Sequence, residues 1–267
     1  MTLDWQPERL QAQLHTLLPG IQVQVVAEIG STNTTLLERA RNGDATPMLL
    51  AAELQNAGRG RLGRGWWAAV GDSLTFSIAL PYAPVDWSGL SLAVGLAVAE
   101  ALDPTGEHIG LKWPNDLWLR HEDRKLAGIL IETTAWRPTS GQAVDERWVV
   151  IGIGVNIAER GPQPGPQTGA FNTGYAGLRE WVPALDAPAA LHRIAPAVLA
   201  MLQQFGSGTF SALRERFGAR DVLLGRTVQA GETRGRMVGL DPQGQLLIET
   251  DVCLVTIGSG EVSVRPC

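Results

Sequence analysis

Lysine is nearly absent from this sequence of 267 residues. Only Lys112 and Lys125 occur, and the other 20 of its 22 basic residues are arginines. Lysine is ordinarily a common residue, and its compact ammonium on a flexible stem differs from the planar fork of arginine. Because both lysines fall inside unusual strings, we predict that each contacts a phosphate or a carboxylate. The alternative is a compositional drift that left two lysines by chance.

Cysteine and long apolar runs are also scarce. Cys253 and Cys267 are too few for a disulfide framework and lack the spacing of metal ligands, which favours a reducing cytoplasm. No stretch is apolar enough over a sufficient length to span a bilayer, and residues 1–4 do not begin a signal peptide. We therefore expect a cytoplasmic protein without a membrane partner.

Positive charge is in short supply as well. The formal net charge is -5 and the pI is about 5.4, which argues against general nucleic-acid binding because that function needs a broad basic surface. Hydrophobic residues make up 45% of the chain, enough for a substantial core. The four histidines show no clustered spacing, and we assign them no catalytic part.

The order of predicted elements indicates an α+β main domain in residues 1–220 and a compact all-β module in residues 221–267. Helices are predicted from apolar periodicity at 7–18, 31–42, 87–102, 188–204 and 209–217. Strands are predicted at 21–26, 48–54, 73–80, 109–112, 126–133 and 148–157. Turns or loops are predicted from their composition at 121–123, 138–145 and 159–173. Close-set strands, typical of a small barrel, are predicted in the last module at 227–229, 235–240, 246–249, 253–255 and 262–264.

The most informative string is a glycine-arginine loop over residues 58–66. Three arginines fall within six residues, and no acidic residue occurs between Glu53 and Asp72. Glycines let backbone amides approach a ligand, and arginines add charge-assisted hydrogen bonds. The pattern predicts a mobile loop that grips an anion and closes over it.

The loop also has three alternative interpretations. Gly58, Gly60 and Gly63 formally match a dinucleotide fingerprint, but that motif must open a helix, whereas this loop continues into Trp66-Trp67 and a strand. A P-loop would need Gly-Lys-Ser/Thr, which the string does not contain. A solvated basic turn stays open as the purely structural alternative.

Five strings in order identify a resemblance that covers nearly the whole chain. They are Ser31-Thr32-Asn33, residues 55–66, Lys112-Trp113-Pro114-Asn115-Asp116, residues 125–132 and residues 151–156. Together they resemble bacterial biotin protein ligase, in a short form without the N-terminal DNA-binding domain that some members carry. One departure is Leu62, where members often have a second basic residue.

The resemblance implies a fold and a reaction. The catalytic domain is expected to be similar to class II aminoacyl-tRNA synthetases, with a mixed β-sheet, and the C-terminal module to an SH3-like β-barrel. The implied enzyme is an ATP-dependent ligase. It activates biotin to biotinyl-5'-AMP, with Mg²⁺ as cofactor, and transfers biotin to a lysine of the biotin carboxyl carrier protein of a carboxylase such as acetyl-CoA carboxylase.

The resemblance also implies roles for residues that bind biotin. Hydroxyls and amides of Ser31, Thr32 and Asn33 would pair with the ureido ring, and the Gln55 amide would complete that pairing. Simple helix capping is the alternative for Ser31 and Thr32, and the two roles can coexist. Gly128 and Gly152 would let the backbone lie close to the flat ligand.

The remaining implied roles concern the carboxylate and the nucleotide. Gly58, Arg59, Gly60 and Arg61 would wrap the biotin carboxylate and the α-phosphate, with Lys125 on the same oxygens. The adenylate would be shielded by Trp66, for which core packing is the alternative; Trp67 is interpreted as core. Further roles fall to Lys112 and Asn115 near the phosphates and ribose, and to Asn156 at the adenine edge.

Asp116 is the best single candidate for holding Mg²⁺, because magnesium needs few carboxylates when phosphates supply other ligands. It is equally a candidate base for the acceptor amine, or a turn residue after Pro114. A lipoate or octanoate ligase and a non-enzymatic biotin sensor are the rival functions. The sequence leaves the carrier protein and the oligomeric state open, a homodimer included.

Overall fold

A seven-stranded mixed sheet forms the centre of the molecule. The computed structural model describes residues 3–44, 46–135, 146–159, 174–260 and 264–267. The strands of the large sheet are β1 Gln22–Ile29, β2 Met48–Gln55, β3 Ser73–Tyr82, β4 Ile109–Lys112, β5 Asp116–Leu119, β6 Arg124–Ala135 and β7 Arg147–Asn156. They lie in the order β1-β2-β3-β7-β6-β5-β4, with β1 and β2 parallel and every other pair antiparallel.

Helices cover both faces of this sheet. They are α1 Pro7–His15, α2 Thr32–Arg41, α3 Leu90–Leu102, α4 Ala187–Gly206 and α5 Arg214–Gly218. Among the described residues, none of these helices is long and apolar enough to cross a membrane.

Alternation along the strands separates two hydrophobic clusters. In β7, Ile151 and Ile153 belong to the large core, whereas Trp148 and Val150 pack with Leu36 of α2 in a smaller cluster. Successive strand residues point to opposite faces, so the large core and the α2 cluster lie on opposite sides of the sheet. The α2 side is the one that carries the candidate site.

The last strands form a separate five-stranded antiparallel sheet. It contains β8 Thr227–Ala230, β9 Thr233–Leu240, β10 Leu246–Glu249, β11 Leu254–Ile257 and β12 Val264–Pro266, in the order β11-β10-β9-β8-β12. The edge strands β11 and β12 do not pair with each other over the described residues. The predicted all-β module is thus an antiparallel sheet, and closure into an SH3-like barrel stays a prediction, as does the domain boundary at residue 220.

Most predicted elements are present, with shifted ends. The helix predicted from residue 87 begins at Leu90, because Asp86 accepts a hydrogen bond from the Ser88 amide at 2.8 Å and Gly89 adopts φ 80°. The helix predicted at 209–217 is two pieces, a 3₁₀ turn at Phe210–Leu213 followed by α5. The strand β5 was not predicted at all. The predicted turn at 138–145 lies outside the described residues, as do residues 160–173 of the predicted loop and residues 262 and 263.

Candidate active site

A cavity of about 190 Å³ lies between the glycine-arginine loop and the α2 side of the large sheet. We call residues 58–66 the lid. The lining combines hydroxyl and amide groups from α2 and β2, cations from the lid and from β4 and β6, and three residues of β12. The lining includes Ser31, Thr32, Asn33, Gln55, Arg59, Gly60, Arg61, Arg64, Trp66, Trp67, Lys112, Asn115, Asp116, Trp118, Lys125, Gly128, Gly152, Gly154, Tyr175, Val264, Arg265 and Pro266.

Strand register builds the cavity floor. Thr75 of β3 pairs with Gly154 of β7, which pairs with Gly128 of β6, which in turn pairs with Asp116 of β5. Asp116 then pairs with Lys112 of β4. Residues in one such row share a face of the sheet, so two adjacent glycines leave a flat floor beside an acidic and a basic side chain.

A β-bulge brings Lys125 to this floor. Leu117 pairs with Ala127 but Trp118 pairs with Lys125, so Leu126 is an extra residue in β6. Strict alternation from Gly128 would place Lys125 on the opposite face, and a bulge re-aims the side chains beyond it. The sequence-predicted Lys125 therefore reaches the cavity because of one inserted residue.

The lid is a narrow loop closed by its own backbone. The Trp66 amide donates to the Gly58 carbonyl at 2.8 Å, and the Gly60 amide donates to the Arg64 carbonyl at 2.7 Å. A 3₁₀ turn occupies Arg61–Gly63, in which Leu62 adopts φ 58°. Gly58 does not line the cavity; it closes the base of the loop, where a Cβ would lie 2.4 Å from the Trp66 carbonyl oxygen.

Trp66 lies directly on the glycine floor. A Cβ on Gly154 would be 2.4 Å from Cε2 of the indole, and a Cβ on Gly128 would be 3.2 Å from Cζ3. Gly128 thus makes room for a lid residue in this structure. Trp67 was predicted to belong to the core, and this was wrong: it is 47% exposed at the rim of the cavity.

One end of the cavity, the hydroxyl end, is neutral. It consists of Ser31, Thr32 and Gln55, at the junction where β1 leads into α2 and β2 ends. Ser31 is the N-cap of α2 and accepts a long hydrogen bond of 3.4 Å from the Thr34 amide. Gln55 Oε1 accepts from the Thr32 amide at 2.7 Å. Capping and exposure to the cavity therefore coexist at Ser31, as the sequence allowed.

The side-chain amide of Asn33 already has hydrogen-bond partners within the protein, which the sequence did not indicate. Its Nδ2 donates to the Leu130 carbonyl at 3.2 Å and to Glu132 Oε2 at 3.0 Å, and its Oδ1 accepts from the Ser77 hydroxyl at 2.6 Å. A Cβ on Gly152 would lie 2.3 Å from Asn33 Oδ1. Both donor groups of Asn33 are used inside the protein, and Gly152 makes space for this side chain.

The opposite end, the cationic end, is built around one carboxylate. Lys125 Nζ donates to Asp116 Oδ1 at 2.6 Å, and Lys112 Nζ lies 4.0 Å from Asp116 Oδ2. All three residues are 7% exposed. Both lysines therefore contact a carboxylate, as predicted, and that carboxylate belongs to the protein itself. Burial lowers the pKa of Lys112 to about 8 despite the opposing effect of Asp116.

Arg61 connects the lid to two other regions. Its Nη1 donates to Asn115 Oδ1 at 3.2 Å, and its Nη2 donates to the Ser259 carbonyl at 2.6 Å and to the Gly260 carbonyl. Burial lowers the pKa of Arg61, while Asp116 raises it. The segment that follows β11 in the C-terminal module thus contributes to the position of the lid.

Arg59 points away from the cationic end. Its Nη2 forms an ion pair with Glu132 of β6 at 2.9 Å. Arg61 and Arg64 line the cavity together with Arg59, and over the described part of the chain neither Arg61 nor Arg64 forms an ion pair.

Asn156 was predicted to read the adenine edge, and the structure places it elsewhere. Its side chain is 0% exposed, and its Nδ2 donates to the Lys125 carbonyl at 3.0 Å. It therefore supports the strand that carries Lys125 and is not part of the cavity lining.

Several lining residues were not predicted. Trp118 follows Asp116 by two positions on β5, and Lys112 Nζ lies 5.1 Å from its ring centroid. Alternation along β5 would have identified Trp118 had that strand been predicted. Tyr175 and Arg265 carry no sequence signal for this site, because their positions depend on long-range packing. No group of three or more metal-ligating side chains is found among the residues that the structure describes.

Comparison with known proteins agrees with this geometry. The Biotin/lipoate A/B protein ligase family matches residues 25–156, and the Biotin protein ligase C terminal domain matches residues 223–265. The bifunctional ligase/repressor BirA of Salmonella typhimurium is 36% identical, covering 97% of this chain and 80% of that protein. The biotin--[acetyl-CoA-carboxylase] ligase of Mycobacterium tuberculosis is 33% identical, covering 90% of this chain and 88% of that protein.

A solved structure is similar over nearly its whole length. The biotin protein ligase from Aquifex aeolicus in complex with biotin and ATP superposes with a TM-score of 0.74 at 28% identity, covering 92% of this chain and 99% of that one. Fold and site define a ligase with a two-ended cavity under a cationic lid. The chain belongs to the biotin protein ligase family.

Proposed function

We propose that this chain is an ATP-dependent biotin ligase. It joins biotin to ATP as biotinyl-5'-AMP and then transfers the biotinyl group to a lysine of a biotin carboxyl carrier protein. The single observation that carries this proposal is the two-ended cavity. A neutral hydroxyl end suits a ureido ring, and a cationic end suits a carboxylate beside a phosphate.

The first step needs charge neutralisation more than proton transfer. A carboxylate oxygen attacks the α-phosphorus, the bond to the β-phosphate oxygen breaks, and pyrophosphate leaves. Because the nucleophile is already an anion, no base is required, and positioned cations supply the stabilisation. Arg61 and Lys125 are placed to hold the two anions together, with Lys112 and Asn115 toward the nucleotide. Trp66 covers the junction and excludes water.

The second step transfers the acyl group. The neutral amine of the acceptor lysine attacks the carbonyl carbon of the mixed anhydride, and AMP leaves with the electron pair of the broken bond. Asp116 is the carboxylate we assign to accept the amine proton, because among the described residues the ion pair of its Oδ2 is the 4.0 Å contact with Lys112.

Asp116 also sets the limit for magnesium. Its Oδ1 is occupied by Lys125 at 2.6 Å, so one oxygen remains for an ion that prefers octahedral oxygen ligands. That donor set fits an Mg²⁺ for which ATP phosphates would supply most ligands, and Asp116 would be the residue that holds it. When bound, the ion neutralises phosphate charge.

We also propose a fold for the C-terminal module and a location in the cell. The five-stranded C-terminal sheet is interpreted as an SH3-like module that supports the lid through Arg61. A cytoplasmic location rests on the low cysteine content.

The test is isotope exchange between ATP and labelled pyrophosphate, followed by transfer to a purified carrier domain. We expect exchange that depends on biotin and labelling of one carrier lysine. Exchange with lipoate or octanoate but not biotin would move the assignment to the rival ligase. A chain that binds biotin without any exchange would be a sensor.

A further inference from the structure

We infer that Glu132 is a positioning residue that couples the hydroxyl end of the cavity to the lid. Glu132 lies on β6, on the α2 side of the sheet, and its side chain is 26% exposed. It accepts from Arg59 of the lid and from Asn33 of α2. This inference rests on the proposed function, because it assumes that the hydroxyl end receives the biotin ring.

A continuous set of hydrogen bonds, which we call the polar chain, runs from Thr32 to the lid. Thr32 Oγ1 lies 2.7 Å from Ser77 Oγ, and Ser77 Oγ lies 2.6 Å from Asn33 Oδ1. Asn33 Nδ2 lies 3.0 Å from Glu132 Oε2, which lies 2.9 Å from Arg59 Nη2. Every one of these distances is within ordinary hydrogen-bond range.

The direction of the polar chain is determined by its ends. Glu132 can only accept when it is ionised, so Asn33 must present its amide nitrogen there and its oxygen to Ser77. The Ser77 proton is then used toward Asn33, so Ser77 accepts from the Thr32 hydroxyl, whose single proton is shared between Ser77 and Gln55 Oε1. Each group of the polar chain from Ser77 to Glu132 therefore has one orientation, and loss of the Thr32 donor weakens the bonds that follow it.

The hydroxyl end is where a ligand would enter this chain. Gln55 Oε1 accepts from the Thr32 amide at 2.7 Å and lies 3.1 Å from Thr32 Oγ1. A ureido group that forms a hydrogen bond with Gln55 or Thr32 therefore changes the strength of the hydrogen bond between Thr32 and Ser77, which is the first bond of the polar chain. Ser77 is 0% exposed and Asn33 is 4% exposed, so water does not interrupt the path between them.

The expected consequence is that occupancy of the hydroxyl end holds the lid closed through Glu132. Limited trypsin digestion measures this directly, because Arg59, Arg61 and Arg64 are the cleavage points of the lid. Cleavage there is followed by mass spectrometry with and without biotin, each protein being tested at a biotin concentration that saturates it. The ratio of the two rates is the protection by biotin.

Two variants interrupt the chain at different bonds. Glu132→Gln keeps an oxygen that accepts from Asn33 but removes the charge that holds Arg59. Ser77→Ala breaks the centre of the chain without touching the lid. We expect about tenfold protection in the unaltered protein and less than twofold in either variant. We also expect the KM for biotin to rise several-fold, with the KM for ATP unchanged within twofold.

Glu28→Gln is the matched control. Glu28 accepts from Asn56 Nδ2 at 3.0 Å near the base of the lid, but it does not contact the polar chain. It should retain full protection. Thermal unfolding of each variant checks that the fold is intact, and a variant that unfolds is replaced by Asn33→Asp, which leaves two carboxylates facing each other at the same bond.

The outcomes separate this inference from the proposed function. Wild-type protection by biotin in Glu132→Gln and Ser77→Ala would overturn the coupling while leaving the ligase assignment intact. Absence of biotin-dependent pyrophosphate exchange in the unaltered protein would overturn the assignment itself. Loss of protection in the Glu28→Gln control as well would also overturn the specific part given to Glu132.

Discussion

The two ends of the cavity are built in opposite ways. At the hydroxyl end, polar groups satisfy one another: the backbone amide and hydroxyl of Thr32 bond to Gln55 and Ser77 at 2.7 to 3.1 Å. At the cationic end, Lys112, Lys125 and Arg61 share the single carboxylate of Asp116, so positive charge is in excess. The hydroxyl end is pre-organised to bind a neutral group of one shape. The cationic end has unbalanced positive charge, which an anionic ligand neutralises.

This contrast predicts different kinetic signatures. Changes at the cationic end should lower kcat, because the charge acts most strongly on the transferring phosphoryl group. Changes at the hydroxyl end should raise KM for biotin, because those groups bind ground state and transition state alike.

Lys125→Ala should give the largest effect. Loss of a positioned charge at a reacting oxygen costs roughly 100- to 1000-fold in kcat, while KM for biotin should change much less. Pyrophosphate exchange measures both. Arg216→Ala is the control, since Arg216 pairs with Glu100 at 2.6 Å far from the lining and should be silent. A Lys125→Ala variant with normal kcat and a raised KM for biotin would contradict the proposed kinetic difference between the two ends of the cavity.

Two glycines on one strand sharpen the comparison further. Gly154→Ala would drive a methyl group into the Trp66 indole, 2.4 Å away, whereas Gly152→Ala would drive it into Asn33, 2.3 Å away. We expect Gly154→Ala to lower kcat roughly tenfold or more through a displaced lid. Gly152→Ala should instead raise KM for biotin and lower the free energy of unfolding by about 1–3 kcal/mol. Steady-state kinetics and denaturant unfolding separate the two; identical profiles would contradict this division.

The pH dependence of ATP binding tests the cationic end alone. Burial lowers the pKa of Lys112 to about 8, so the ammonium is present below that pH and is lost above it. Affinity for an anionic nucleotide should therefore be constant below pH 8 and fall at higher pH, by roughly tenfold over the next unit or two. KM for ATP between pH 7 and 9.5 measures this.

Lys112→Arg provides the check on that profile, because a guanidinium keeps its charge over the whole range. Its KM for ATP should be higher than that of the unaltered protein but independent of pH. A pH profile that persists in Lys112→Arg would assign the titration to another group.

Ser31→Ala should give the smallest effect. Within the described residues, the hydrogen bond of this hydroxyl is the long one of 3.4 Å from the Thr34 amide, so loss of the cap should cost no more than about 0.5 kcal/mol of stability. KM for biotin should rise a few-fold. Calorimetric unfolding measures the change in stability, and pyrophosphate exchange kinetics measure the change in KM. A change in kcat would contradict the assignment of Ser31 to the hydroxyl end.

The chemistry of the site was more predictable from the sequence than its geometry. The lid, the strings that contain Lys112 and Lys125, and the string Ser31-Thr32-Asn33 are local patterns with a direct chemical meaning. Residues of each of them line the cavity. The family assignment from those strings is confirmed. The mixed sheet that the resemblance implied is confirmed as well.

What the sequence could not predict depends on pairing between distant segments. Strand β5 is only four residues long and follows Pro114-Asn115, a turn signal, so it was missed, and Trp118 with it. The bulge at Leu126 is visible only once β5 and β6 are aligned. The contact of Arg61 with the Ser259 carbonyl joins residues 198 positions apart. Asn156 belongs to a string that resembles the family, but its side chain is buried and donates to the Lys125 carbonyl.

The most direct test of this account is the crystal structure of the protein with biotinyl-AMP. We predict the ureido ring within about 3 Å of Thr32 or Gln55, and a phosphate oxygen at a similar distance from Arg61 and Lys125. The lid should cover the acyl-phosphate bond. A ligand lying in the opposite direction, or bound outside the lid with Arg61 and Arg64 facing bulk water, would contradict the account.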